Sequence, residues 1–527
     1  MRVWQRVSRG WARPVAGGAD ARFAGVPGLA WAGVFAGALM TAAVLRYAGA
    51  GAAGAVVAVG AVLLMVPGPG AVPVVLLVVV PVAAAAGAGG TVLLGMAGVA
   101  TALTAWRLRA ASGAFRPVLA ELPAAGALIV LVCVSFLLPQ TPVRGDRSWT
   151  EFLALPAGVL LAVVTACAAV SPRAAARALA ATGTAVAVGL LLAGAYASER
   201  LTGLGLNPNY LGMYLASALV AAVGLAWQGR SPLWWAAALP CGVALSETGS
   251  RGAGLAALAG LVCLLLAGRP WRWQLGAVLA VGAAVLLVPD AWAWAQDLLS
   301  GGRDTRELTA NTEVRGQVGA LALQVASDHP LRGIGYGAFR TYAETAPGFW
   351  LRMNTHNDYL RLAAEAGAPA LLAFAALLGR ALTGRRPGGA PVLRAVCVTS
   401  AVGLLFANTL ASPVVSVPFW VVLGCLLARP ARAASSPGGV PDPAAQRSRE
   451  LGRSGQQVPP GRTGEPDEEP RLDQGERGVR DGGGEGAAGG AEAGDEEQVE
   501  RRVEGQRADG RADRVAGAAH PHQVGGE

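Results

Sequence analysis

The stretch "NTHNDYLRLAAEAG", residues 354 to 367, gathers a histidine, two asparagines, an aspartate, an arginine and a glutamate beside an apolar run. A histidine with an ordinary pKa of about 6.5 can exchange a proton near neutral pH, which makes His356 a candidate for chemistry. Asn357 or Asp358 can cap the helix that follows, because a side-chain oxygen there satisfies free N–H groups. Asp358–Arg361 (i, i+3) and Arg361–Glu365 (i, i+4) can pair along it. A well-capped interfacial helix with a solvated histidine explains the same spacing.

Three other stretches carry polar groups of interest. In "SETGSRGAGLAAL", Arg251 interrupts a nearly continuous apolar region from Trp234 to Ala267. An arginine beside hydrocarbon is costly and marks a site or a pair; a salt bridge to Glu247 would also hold a helix junction. In "NTEVRGQVGALALQVASDHPLRGIGYGAF", Arg315 opens a helical pattern with Val318, Leu321, Ala322 and Val325, followed by a tight turn at Gly333, Gly335 and Gly337. That pattern also suits an amphipathic helix on a membrane surface; His329 shapes the turn before Pro330. In "GLNPNYLG", Asn207 and Asn209 flank Pro208 as a turn-and-cap signal opening a span.

The elements that must position these groups are hydrophobic. Of 527 residues, 53% are hydrophobic and only 15% charged, where a soluble domain carries about 25%. Apolar runs of roughly 17–25 residues cross a bilayer as helices. The chain reads as an all-α polytopic membrane protein with about 12–14 transmembrane helices, one large extracytoplasmic loop and a disordered C-terminal tail. Expected boundaries are a basic leader at 1–26, spans within 27–289, the loop at 290–357, further spans within 358–430, and the tail at 431–527. One continuous span is expected over 358–379. The tail is Gly-, Glu- and Arg-rich and cannot bury enough apolar surface to order itself.

The net charge of +9 comes from scattered arginines without a single lysine, and no aromatic–basic interleaving suited to stacking bases is present. Nucleic acid is therefore not an expected partner. The six cysteines all lie in apolar runs without ligand spacing, so buried hydrophobes are expected rather than disulfides or a metal site. Arginine clusters at 2–22, 107–116, 173–177, 269–272, 380–386 and 429–432 all fall on one side if spans alternate from a cytoplasmic N-terminus. Residues 198–209, 247–252 and 290–357 then lie outside, so the polar stretches share one extracytoplasmic face.

In their order and spacing, the "SRG" arginine, the "R…HPLRGIGYGAF" loop and the closing "HNDYLRLAAEAG" resemble the O-antigen ligase and polymerase-like superfamily, as does "NPNYLG". The resemblance covers roughly residues 200 to 380. It implies a glycosyltransferase of the cytoplasmic membrane that works on its outer face. Such an enzyme passes a glycan from an undecaprenyl diphosphate carrier to an acceptor, with inversion and without metal or other cofactor. It implies that His356 serves the acceptor hydroxyl and that Arg251 and Arg315 hold the diphosphate; Asn207, Asn209, Asn357 and Asp358 complete the expected substrate contacts. The chain departs from many members in carrying Leu321 or Leu323 where a tryptophan often follows the loop arginine. A polysaccharide polymerase and a membrane transporter are the alternatives. A transporter needs polar groups along a midplane pathway, which the early spans almost lack.

Overall fold

A computed structural model describes residues 50–66, 68–110, 122–140, 148–168, 170–270, 272–274, 276–280, 305–346, 353–384 and 390–428. The leader at 1–26, the start of the region expected to hold spans, and the tail at 431–527 lie outside these residues. The described chain is helical, as expected. Its elements are α1 (Ala50–Met65), α2 (Ala71–Ala85), α3 (Gly90–Ala110), α4 (Leu122–Leu137), α5 (Trp149–Cys167), α6 (Pro172–Ala193), α7 (Pro208–Gly229), α8 (Pro232–Glu247) and α9 (Arg251–Leu265). There follow α10 (Thr305–Asp328), α11 (Phe339–Thr345), α12 (Asp358–Ala366), α13 (Ala368–Thr383), α14 (Ala390–Gly403) and α15 (Pro413–Leu427). A two-residue hairpin, β1 (Tyr196–Ala197) with β2 (Arg200–Leu201), joins α6 to α7.

Four described helices, in α3, α5, α6 and α7, are long and apolar enough to cross a membrane, and α2, α4, α9, α13, α14 and α15 are shorter and apolar. Leu192, Leu239 and Leu372 project outward, 84%, 71% and 68% exposed, an arrangement that suits lipid and not water. Inside the bundle, small residues let backbones approach: a Cβ on Gly158 would meet the buried Trp420 ring, and one on Gly260 would meet Thr399.

The bundle has two chemically different ends. At one, the C-termini of α4, α8 and α14 meet the N-termini of α5, α7, α9, α13 and α15. Arg332 Nη2 donates to Leu138 O at 2.7 Å, Gly212 lies against Thr248 and Ser250, Phe406 packs on Gly252, and Asp358 N donates to Leu404 O at 2.8 Å. Glu151, Glu247, Asp358 and Glu365 belong to this end. At the other end stand Arg107, Arg173, Arg177, Arg230, Arg269, Arg272, Arg380 and Arg394, with no described acid among them. Arg107 there donates to Leu64 O at 2.7 Å, closing the C-terminus of α1.

The single span expected over 358–379 is instead two helices. It breaks at Gly367, which has φ +87° and ψ 168°. Ala368 N donates to Pro330 O at 2.7 Å there, so the break is where the 330–335 loop docks. A Cβ on Gly367 would lie 2.5 Å from the Leu331 carbonyl, combining a glycine-only backbone with a clash. Gly367→Ala is therefore expected to destabilise the protein by roughly 2–5 kcal/mol in detergent unfolding experiments. Gly379→Ala, where nothing lies within 4 Å of an added Cβ, is expected to be neutral.

Candidate active site

The short helix α12 organises the acid-bearing end. At about 13 Å it is too short to cross a bilayer, and it buries three ionisable side chains, Asp358, Arg361 and Glu365. Arg361 Nε donates to Glu365 Oε2 at 2.9 Å, the expected i, i+4 pair, and Nη2 donates to Glu151 Oε2 at 2.6 Å on α5. Its guanidinium lies 5.1 Å from the centre of the Tyr336 ring. The Glu365 carboxylate also accepts the N–H groups of Gly337 (2.9 Å) and Phe339 (3.0 Å). Its backbone carbonyl accepts Gly335 N at 3.0 Å and the Ser135 hydroxyl. Gly333, at φ +61°, sits so close to Glu365 that a Cβ would overlap its carbonyl. This ion network is the clamp that fixes the glycine loop, α5 and α12 together.

Asp358 does not pair directly with Arg361, as its spacing suggested. It turns to the loop after α14, where its carboxylate accepts Leu410 N at 3.1 Å and the Thr409 hydroxyl at 3.4 Å. Of the two candidate caps, Asn357 takes the role: its Oδ1 accepts from Tyr359 N and Leu360 N, both at 3.0 Å. Thr355 lies 3.1 Å from Asn408 Oδ1 and completes the attachment.

His356 stands between these anchors in the left-handed region, at φ +51°. That conformation costs a residue with a Cβ roughly 1–2 kcal/mol, and such strain collects where a side chain must be aimed. The ring is half-buried. Burial, and then the positive charge of Arg315, pull its pKa down to about 4. At neutral pH the imidazole is uncharged and keeps one nitrogen lone pair. Arg315 itself is exposed on α10, which packs on α12 through Val318, Ala322, Leu360 and Ala364. The Arg315 charge is felt at Tyr210 as well as at His356. Arg315 is thus near enough for its charge to act on His356.

Arg251 opens α9, and the next residue, Gly252, lies against Phe406. The Phe406 turn joins it to the loop that holds Asp358, so Arg251 shares this end of the bundle. Glu247 accepts the Tyr196 hydroxyl at 3.2 Å. Asn207 caps α7 by accepting Tyr210 N at 3.0 Å, and Asn209 Oδ1 accepts from Arg200 Nη2 at 2.9 Å. Arg200, whose Nε donates to Thr248 O at 2.7 Å, was not singled out from sequence. Its signal was an arginine on the face opposite the arginine clusters. Glu151 was missed as well, although "SWTE" is a helix-start signature and Ser148 Oγ does accept Glu151 N at 3.3 Å. His329 lies at the turn before Pro330, with Nδ1 3.2 Å from Gln140 Oε1. Among the described residues, no group of three or more His, Cys, Asp or Glu could hold a metal ion.

Residues 236–375 match the family model described as O-antigen ligase. The match includes Arg251, Arg315 and His356, and over that stretch the chain is similar to O-antigen ligases. No curated protein matches the chain.

Proposed function

We propose that this O-antigen ligase-like membrane protein transfers a glycan from an undecaprenyl diphosphate carrier to an acceptor hydroxyl on the extracytoplasmic face. The observation that carries the reading is an uncharged, half-buried His356 that feels the charge of Arg315, at the bundle end opposite the arginine-only one. Arginine accumulates on the cytoplasmic side of membrane proteins, so the acid-bearing end faces outward.

The chemistry follows from these groups. The acceptor oxygen attacks the anomeric carbon from the face opposite the carrier, forming the new glycosidic bond with inversion. The bond from that carbon to the phosphate oxygen breaks, and its electron pair stays on the diphosphate. Arg315 and Arg251 hold that anion through guanidinium forks that remain charged at any working pH. The acceptor proton passes to the free ring nitrogen of His356. The roles proposed for Asn207, Asn209, Asn357 and Asp358 are to keep these groups in register, since each side chain already bonds protein. Ligase and polymerase differ in the acceptor alone. Deletion of the gene is expected to leave unattached chains for a ligase and single repeat units for a polymerase.

A transporter would carry ionisable groups near the bilayer midplane. The buried charges Asp358, Arg361 and Glu365 instead sit together at one end.

The His356 environment sets a pH dependence. A base that titrates at about 4 is unprotonated across the neutral range. We expect kcat/KM for transfer to stay level from pH 8 to about 5 and to fall as pH drops through about 4. A limb centred between 6 and 7 would show that the histidine titrates as in water, or that another group is the base.

A further inference from the structure

We infer that Thr355 and Asn408 are positioning residues for the proposed general base: Asn408, in the loop after α14, fastens the Thr355 side chain, and Thr355 holds the strained turn that aims His356. This rests on the reading above, in which His356 takes the acceptor proton.

His356 sits at φ +51°, a conformation that a residue with a Cβ keeps only where its neighbours impose it. Thr355 imposes it from within the turn. Its hydroxyl lies 2.9 Å from Asn357 O, across the histidine, and accepts from Asn357 N at 3.4 Å. The same hydroxyl lies 3.1 Å from Asn408 Oδ1, and both residues are buried, 4% and 1% exposed. The loop that carries Asn408, residues 404–412, also grips the chain after the histidine. Leu404 O accepts Asp358 N at 2.8 Å, and Leu410 N and the Thr409 hydroxyl donate to the Asp358 carboxylate. Those contacts fix the chain after His356, and the Thr355–Asn408 contact fixes it before. The histidine is thus held between two fastenings to one loop, which is itself seated on α9 where Phe406 packs against Gly252.

Stability alone does not account for Asn408. Its amide N–H2 group is buried without a hydrogen-bond partner among the described residues. An apolar side chain of similar size would avoid that destabilising state. What the asparagine supplies is an acceptor for the Thr355 hydroxyl.

The test uses the full-length protein in detergent, with the lipid diphosphate-linked glycan as donor and an envelope fraction as acceptor, rates being taken per folded molecule. Thr355→Val removes the hydroxyl at nearly constant shape. We expect it to lower kcat by about tenfold to a hundredfold, the scale on which small misplacements act, with KM for the donor unchanged. Thr355→Ser returns the hydroxyl and is expected to recover most of the rate. Asn408→Ala removes the other partner, is expected to match Thr355→Val, and covers the case in which valine impairs folding. Thr355→Val is then repeated in the His356→Asn background, where a residue acting through the histidine has nothing left to lose. No further loss there supports the inference. If Thr355→Val and Asn408→Ala turn over as wild type, or if the losses multiply in the double variant, the positioning role is wrong and the base stands. If His356→Asn itself turns over as wild type, the base is wrong and the positioning role falls with it.

Discussion

Replacing His356 with alanine is expected to lower the rate of glycan transfer by about 10²-fold or more, the usual scale for a general base. Binding of the lipid diphosphate should survive, since the arginines hold it. Alanine alone would be an ambiguous variant, because position 356 has φ +51° and a non-glycine residue there is strained. His356→Asn answers that objection: asparagine tolerates the left-handed region well and has no proton-accepting nitrogen. Both variants should be equally slow, with membrane abundance near wild type. If the histidine serves only to shape the turn before α12, His356→Asn should turn over normally.

Arg361→Ala should have the largest effect on stability, on the order of 3–5 kcal/mol, because it strips one partner from a buried ion pair. Arg361 and Glu365 side chains are 3% and 2% exposed, so the abandoned carboxylate cannot turn to water. The loss spreads, since Glu365 also carries the N–H groups of Gly337 and Phe339 and thereby the glycine loop. Arg361→Lys should recover little, because one ammonium cannot span Glu365 and Glu151 as the two ends of a guanidinium do. Unfolding midpoints in detergent and steady-state membrane levels measure this. Near-wild-type values for Arg361→Ala would mean that the clamp contributes nothing to the fold.

Much of the architecture was legible because it rests on local rules. Helices α8 (Pro232–Glu247) and α15 (Pro413–Leu427) show those rules at work. Both have a serine before a proline at the first helical position and then an apolar run. The Arg361–Glu365 pair was legible for the same reason, being a neighbour relation on one helix. Gly367 with Pro369 two residues on is a local helix-stop signal, passed over in the long apolar run, and the break is where residues 330–335 dock. What else escaped depended on distant partners. Asp358 looks like a partner for Arg361 three residues on, yet its carboxylate is used by Leu410, 52 residues away. Glu151 reaches Arg361 across 210 residues, and no spacing rule links them. The motif histidine and the loop arginine were found by type and resemblance, and the packing of α10 on α12 only by structure.

The most direct test is transfer by the full-length protein in lipid nanodiscs. It would be supplied with the native undecaprenyl diphosphate-linked glycan and an envelope fraction containing acceptors. The account predicts that wild-type protein releases undecaprenyl diphosphate in step with appearance of the attached glycan, its anomeric configuration inverted. Arg315→Lys, equally abundant, should release almost none, because a point ammonium cannot reproduce the fork. A carrier left fully loaded by folded wild-type protein, or product with retained configuration, would contradict it.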